Sequence, residues 1–110
     1  MKLPNAEKAI IDDRKIKDYC LNPEHPRGKH KAKVFQRSLG VTSENSLELI
    51  NQIRNGIMQT DCLKGDVDDH GQRFTVDVEV VINRKKAVVR TGWILKKNED
   101  QPVFTTCYVK

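Results

Sequence analysis

The chain has 110 residues, of which 37% are hydrophobic and 32% are charged, and Lys plus Arg exceed Asp plus Glu by 20 to 15. Such a length allows one domain with a modest core, so we expect residues 1–110 to form a single domain. No apolar run is long enough to cross a bilayer, which excludes a membrane-spanning helix. The net charge of +5 favours anionic partners, either nucleic acid or an acidic protein.

The three cysteines, Cys20, Cys62 and Cys107, are far apart and form no Cys-x-x-Cys pair. This spacing indicates neither a disulfide framework nor a zinc ribbon, so we expect reduced, packed thiols, no metal and no cofactor. Because the first residues contain no long apolar leader, a cytoplasmic protein is the default expectation. The alternative is the delivered tail of a larger secreted polypeptide, since such a tail carries no leader of its own.

A short helix is predicted near the start of the chain. Residues 3–11 contain a proline and a mixed pattern, which indicates an extended lead-in. Asp12 or Asp13 can then cap a helix that runs to Leu21 and stops at Asn22 and Pro23. The side chains expected to pack from one face of this helix are Ile16, Tyr19 and Cys20.

Two longer helices are predicted to follow. The first spans about residues 29–39, with Gly40 as a left-handed terminator. The second runs from residue 43 or 44 to residue 58, and Thr42 or Ser43 can accept hydrogen bonds from its free backbone N–H groups. The apolar stripe of this last helix consists of Leu49, Ile50, Ile53 and Ile57.

The second half of the chain shows the alternation typical of strands. In the clearest segment one face carries Phe74, Val76, Val78, Val80 and Ile82, and the other carries Thr75, Asp77 and Glu79. Strands are predicted at residues 62–68, 74–82, 87–97 and 103–109. Because short turns join them, we expect an α+β fold in which about three N-terminal helices (about 1–59) pack on one face of a four-stranded antiparallel β-meander (about 61–109).

Residues 66–77 nearly match a calcium-binding loop, with acids at the first and third positions and Gly71 at the sixth. The fifth position is His70, and Asp77 at the twelfth is shorter than the usual glutamate. The flanking segments also have the pattern of strands instead of helices. We therefore interpret this segment as a hairpin.

The most basic stretch of the chain is residues 27–39, with five fixed positive charges, one histidine and no acidic residue. It opens just after Pro26 and then becomes helical, which places His30 and several cations at the start of a helix. This arrangement suits phosphate, and Lys29, Lys31 and Lys33 are the predicted phosphate-binding residues. The alternative is a solvated helix face without a ligand.

The layout resembles the small endoribonucleases and ribonuclease toxins of the barnase–EndoU–colicin–RelE group, in which a helical prefix precedes a four-stranded meander. Residues 89–95 and 102–108 are similar to the penultimate and final strands of those domains. An arginine, a tryptophan and a terminal Thr-x-Tyr recur there, and their counterparts here are Arg90, Trp93, Thr106 and Tyr108. The resemblance implies metal-independent cleavage of RNA.

A second resemblance covers nearly the whole chain. Residues 3–6, 17–22 and 25–35 are similar to a bacterial family of uncharacterised proteins, domain-of-unknown-function family 6883. Its members resemble both stand-alone small proteins and C-terminal tails of secreted toxins and phage head proteins. This resemblance implies a biological context and leaves the activity open.

Metal-free RNA cleavage needs a base for the ribose 2′-hydroxyl, an acid for the departing 5′-oxygen, and cations for the phosphorane. We predict His30 as the base or acid and Arg90 as a phosphate ligand, with Thr106 and Tyr108 orienting the phosphate. Arg90 meets the last two residues only if the strand register brings them together. Gly92 is expected to leave room for a ligand beside Arg90.

Each of these roles has a structural alternative. His30 can be a solvated residue at a helix end, and Arg90 can pair with Asp77 or Glu79 across the strands. Trp93 and Tyr108 can both be core aromatics, and for Trp93 this is the favoured interpretation. A carboxylate of Asp77 or Glu79 can also replace His30 as the base. The alternative to an RNA-cleaving enzyme is a non-catalytic module that binds nucleic acid or an acidic protein, such as an immunity protein. Its binding surface would be the basic helix with the turn at residues 84–86.

Overall fold

Helices precede strands along the chain in the computed structural model, which describes residues 1–110. A 3₁₀ turn at Ala6–Lys8 interrupts the lead-in, and the first helix is a short α-helix that continues as a wider π-helical turn. The elements are α1 (Asp13–Lys15) with its π-turn (Ile16–Cys20), α2 (Lys29–Leu39), a 3₁₀ turn (Ser43–Asn45) leading into α3 (Ser46–Gln59), and strands β1 (Cys62–Asp68), β2 (Gly71–Ile82), β3 (Lys85–Lys96) and β4 (Val103–Val109). The α+β architecture is therefore confirmed.

The predicted helix ends are confirmed by their capping groups. Asp12 Oδ1 accepts the backbone N–H of Arg14 at 3.0 Å, and Thr42 Oγ1 accepts that of Glu44 at 3.3 Å. Gly40, with φ of 66°, ends α2 in the left-handed conformation that glycine adopts without strain. None of the helices combines the length and the apolar character that a membrane crossing requires.

The four strands form one antiparallel sheet in the order β1-β2-β3-β4. The two inner strands are longer than predicted, because β2 begins at Gly71 and β3 begins at Lys85. Gly71 and Gln72 have the local composition of a turn, but cross-strand pairing with Lys96 and Leu95 recruits them into the ladder. The segment at residues 66–77 is a hairpin, as predicted.

The core lies between the helices and one face of the sheet. All five alternating apolar residues of β2 are buried, and α3 packs directly on this strand. Gly56 permits the close approach of α3, because a β-carbon there would collide with Val78 Cγ1. The three cysteines are free and buried, as predicted.

Trp93 is buried in the core, which confirms the prediction that it is a core aromatic. Its ring packs edge-on against Phe104 with ring centres 5.5 Å apart. Its Nε1 donates to Thr91 Oγ1 at 2.8 Å, and that hydroxyl donates to the Val76 carbonyl at 2.7 Å. A buried polar chain thus joins β2 and β3.

Strand β4 is an edge strand against which both the π-turn and α2 pack. The fold therefore brings the basic helix, the first helical segment and the C-terminal strand to one edge of the sheet.

Candidate functional site at the edge strand

The side chain of Lys31 joins three separate parts of the chain. Its Nζ donates to Tyr19 Oη at 3.0 Å and to Thr106 Oγ1 at 3.1 Å. It also lies 4.8 Å from the centre of the Tyr19 ring and 5.7 Å from that of Tyr108, within reach of cation–π attraction. These four residues are called the Lys31 cluster below.

Helix α2 places Lys31 at the border between its buried and its exposed face. The next residue, Ala32, is buried, whereas His30 before it is exposed. A long lysine side chain at such a border can pack its methylene stem against the protein and carry its amine to a polar neighbour. This position lets the amine reach β4.

An open groove of about 310 Å³ lies beside the Lys31 cluster, lined by His30, Lys31, Val34, Tyr108 and Val109. Its volume is at the lower end of the range for small-ligand sites. Two predicted site residues, His30 and Tyr108, thus share one groove with the predicted phosphate ligand Lys31. This groove is called the edge groove below.

Arg90 lies directly opposite Tyr108 in the β3–β4 register, as the predicted site requires. Its guanidinium is nevertheless bound to Asp77, with Nε to Oδ1 at 2.8 Å and Nη2 to Oδ2 at 3.0 Å. Lys110 Nζ adds a third contact to Asp77 at 3.1 Å. Arg90 therefore forms the cross-strand ion pair that was predicted as the alternative to a phosphate-binding role. It does not line the edge groove.

Asp77 and Arg90 stabilise each other's charged forms. Hydrogen bonds from Arg90, and secondarily from Lys110, lower the pKa of Asp77 to about 2. The pKa of Arg90 is raised, chiefly by Asp77 and next by Tyr108. Asp77 is thus an ionised partner of two cations, which makes it a poor substitute for His30 as a general base.

The space beside Gly92 is occupied, so the expectation of room for a ligand there was wrong. A β-carbon on Gly92 would lie 2.8 Å from Thr105 Oγ1 and 3.5 Å from Thr106 Cγ2. The register of β3 and β4 shifts between Gly92 and Trp93, which places an extra residue of β4 against this position.

The other two predicted phosphate ligands, Lys29 and Lys33, are exposed and do not line the edge groove. Lys33 instead lines a second groove of about 300 Å³ together with Gln36 and Arg37. Of the three predicted lysines, only Lys31 reaches the edge groove.

The structure adds two residues that the sequence reasoning did not assign to the site. Tyr19 was predicted only to pack, but its hydroxyl accepts a hydrogen bond from Lys31. His25 lies edge-on to Tyr19 with ring centres 4.9 Å apart. Its Nδ1 accepts the N–H groups of Arg27 and Gly28 at 3.0 and 3.1 Å, which places the ring proton on Nε2.

No local pattern in the sequence connects these residues to Lys31. Tyr19 falls on the packing face of its helix, and His25 follows a turn. The only hint is that a histidine lies two residues before the basic run.

Two buried thiols lie beneath the Lys31 cluster. Cys20 Sγ is 4.0 Å from Thr106 Oγ1. A hydrogen bond with Cys107, helped by Thr106 and the charge of Lys31, lowers the pKa of Cys20 to about 7. The same interaction with Cys20, together with burial, raises the pKa of Cys107. Nowhere in the structure are three or more His, Cys, Asp or Glu side chains grouped so that they could hold a metal ion, and this includes the region of these two thiols.

Comparison with solved structures identifies a protein with a similar fold. A chain of the contact-dependent growth inhibition toxin–immunity protein complex from Klebsiella pneumoniae 342 superposes with a TM-score of 0.71 and 14% sequence identity. The match covers 93% of the present chain and 100% of the other. At this identity the similarity establishes a shared fold, which agrees with the predicted toxin-like layout.

Sequence comparison assigns the family. The model of the family "Domain of unknown function (DUF6883)" matches residues 2–110, so the chain belongs to this family. The resemblance noted in the separate segments is thereby confirmed. No curated protein sequence gives a significant match.

Proposed function

We propose that this domain is a metal-independent endoribonuclease of the toxin type, with the edge groove as the site of the scissile phosphate. The observation that carries the proposal is the convergence of a lysine amine, an imidazole and a phenol in one groove. The fold shared with a chain of a toxin–immunity complex supports the class of protein.

Lys31 has one N–H donor left for a substrate. A lysine ammonium carries three donors, and Tyr19 and Thr106 take two of them. These two bonds fix the amine beside the groove, so the third N–H is preorganised for a phosphate oxygen. Thr106 orients the phosphate through this fixed amine, and Tyr108 orients it through its own phenol.

His30 is the proton-transfer group in this proposal. The ribose 2′-oxygen attacks phosphorus while the bond from phosphorus to the 5′-oxygen breaks, which leaves a 2′,3′-cyclic phosphate and a 5′-hydroxyl. His30 takes the 2′-hydroxyl proton while water supplies a proton to the 5′-oxygen, or His30 supplies that proton while water takes the one from the 2′-hydroxyl. Because the ring is exposed in the groove, it is accessible to the substrate.

Arg90 does not line the edge groove, so in this proposal it contributes positive charge through Tyr108, the residue opposite it in the β3–β4 register. The guanidinium has five N–H donors and uses two of them on Asp77, so three remain for the phenol. Lys29 and Lys33 contribute at a greater distance, as charges that attract the RNA.

The test is incubation of the purified protein with total RNA in the presence of a metal chelator. We expect cleavage products with 2′,3′-cyclic phosphate ends. His30→Ala should lower the rate by about 10² to 10⁴-fold, the usual contribution of a general acid or base. His70→Ala is the matched control, because His70 is exposed in the β1–β2 turn, and it should cleave like the wild type. Intact RNA at high protein concentration, or full activity in His30→Ala, would refute the proposal.

Lys31→Met tests the phosphate contact separately. Methionine keeps much of the apolar stem, so the fold should persist while kcat falls by roughly 10²-fold or more. Lys64→Met, in exposed β1, is the control and should leave kcat unchanged. Equal kcat in both variants would remove Lys31 from the mechanism.

A protein partner of the immunity type also fits this chain. The solved complex contains a toxin with an immunity protein, and a net charge of +5 favours an acidic partner. Because the substrate is RNA, the domain would act in the cytoplasm of a target cell, as the delivered tail of a larger protein or by itself. Expression of the wild type alone should slow growth of the host, whereas His30→Ala should be tolerated.

The second candidate is a non-catalytic module that binds nucleic acid or protein. The engagement of Arg90 by Asp77 favours it, because this arginine is less available to a phosphate than an unpaired one. RNA that binds but stays intact in the cleavage assay would support this function.

A further inference from the structure

The exposed face of α2 continues the edge groove as a strip of positive charge. Lys33 and Arg37 follow His30 by three and seven residues, which places the three side chains on one helix face. Both cations are exposed and neither forms an ion pair within the chain. With Gln36 they line the second groove of about 300 Å³.

The β2–β3 turn is anchored to the end of this helix. Asn83 Nδ2 donates to the Leu39 carbonyl at 3.0 Å, and Lys85 Nζ donates to the Arg37 carbonyl at 3.5 Å. Arg84 lies between these two anchoring residues. The turn therefore holds the Arg84 backbone close to the last turn of α2.

The backbone of Arg84 adopts a conformation that does not favour arginine. Asn83 and Arg84 have φ of 54° and 64°, the left-handed values required at both central residues of a tight hairpin turn. Asparagine is common at the first of these positions and glycine at the second, because a β-carbon there is strained. Arg84 is exposed and takes part in no ion pair, so its side chain does not compensate by a salt bridge. A strained residue with a free cation points to a role in binding.

We propose that Lys33, Arg37 and Arg84, called the basic track, bind phosphates that flank the scissile phosphate in an extended single strand of RNA. This inference rests on the proposed function, since the edge groove supplies the position of the cleaved nucleotide. Single-stranded RNA fits better than a duplex, because the groove is lined by the rings of His30 and Tyr108, against which an unstacked base can pack.

The experiment measures binding of 2′-deoxy-substituted oligonucleotides, which cannot be cleaved, at two lengths. In the triple variant Lys33→Gln, Arg37→Gln, Arg84→Gln, affinity for a ten-nucleotide strand should fall about 10- to 100-fold, and the salt dependence of the binding constant should become shallower by about 2. A dinucleotide, which reaches only the edge groove, should bind with less than about a twofold change.

The control variant removes three exposed, unpaired lysines elsewhere, Lys8→Gln, Lys64→Gln and Lys97→Gln, and matches the change in net charge. It should retain most of the wild-type affinity for the long strand. An equal loss in both triple variants would show that only net charge matters and would overturn the basic track. Polyglutamate serves as a probe for an acidic protein partner. If the basic-track variant loses polyglutamate binding while it binds the long strand like the wild type, the surface belongs to an acidic protein, which would also overturn the proposal.

Arg84→Gly provides a second test that is independent of stability. Glycine relieves the strained backbone, so the melting temperature should stay the same or rise while affinity for the long strand falls. Unchanged affinity would exclude Arg84 from the track. Because the oligonucleotides are not cleaved, an inactive protein that still binds them with this length dependence would contradict only the proposed catalysis.

Discussion

The contacts of the Lys31 side chain depend on residues that are distant in the chain. Its hydrogen-bond partners are 12 and 75 residues away in the chain. The basic run predicted Lys29, Lys31 and Lys33 all as phosphate ligands, but helix orientation brings only the amine of Lys31 to β4 and the edge groove. The two inward bonds also determine how many donors remain for a substrate.

The ion pair at Asp77 predicts a pH dependence of stability. Because the folded pKa of about 2 lies below the ordinary value, the ionised carboxylate stabilises the fold above about pH 4. That stabilisation, roughly 1 to 2 kcal/mol, should be lost as the pH falls from about 4 to 2. Asp77→Asn should lack this step in urea unfolding measured across the pH range. Glu79→Gln, which breaks an exposed pair with Lys86, should retain it.

Thr91 is predicted to stabilise the core through its hydroxyl. Thr91→Val keeps the shape but leaves Trp93 Nε1 and the Val76 carbonyl without their partner. The free energy of unfolding should fall by about 1 to 3 kcal/mol. Thr91→Ser keeps both hydrogen bonds and should lose less, as measured by denaturant titration. A smaller loss for valine than for serine would contradict this account.

At the scale of elements, the contact between α3 and β2 depends on Gly56. Gly56→Ala would gain about 1 kcal/mol of helix propensity but would force the new methyl group into Val78, at a cost of about 1 to 3 kcal/mol. We expect net destabilisation in thermal unfolding. Asn55→Ala, on the exposed face, should be neutral or slightly stabilising.

A double mutant checks the cause of that loss. In a Val78→Ala background the obstructing methyl groups are absent, so Gly56→Ala should no longer destabilise the protein. An equal loss in both backgrounds would show that the side chain of Val78 is not responsible.

Some bounds of these helices and strands could be predicted from local sequence patterns, and others could not. The bounds of α2 and the cap of the following helix were predicted correctly, because Gly40 and Thr42 act within one turn of the chain. The start of β2 was predicted too late, since Gly71 and its neighbours have turn-like composition and become strand only by pairing with β3. The π-turn at Ile16–Cys20 was also not foreseen, because its packing on β4 involves residues far along the chain.

At the scale of the whole molecule, one core connects all the elements. The core includes residues from the lead-in, the helices and the four strands, so we expect a single cooperative unfolding transition. Far-UV circular dichroism and the fluorescence of Trp93, the one tryptophan in the chain, should report the same midpoint. Two separate midpoints would indicate that the helical part and the sheet unfold independently.

The sequence by itself determined the α+β class, the order of helices and strands, and the buried face of β2. These features follow from hydrophobic period, caps and turn residues, which act over a few positions. The tertiary structure decided that Arg90 pairs with Asp77, that Lys31 binds Tyr19 and Thr106, and that Thr105 occupies the space beside Gly92. Such contacts depend on strand register and helix orientation, which result from packing of the whole core and leave no local pattern in the sequence.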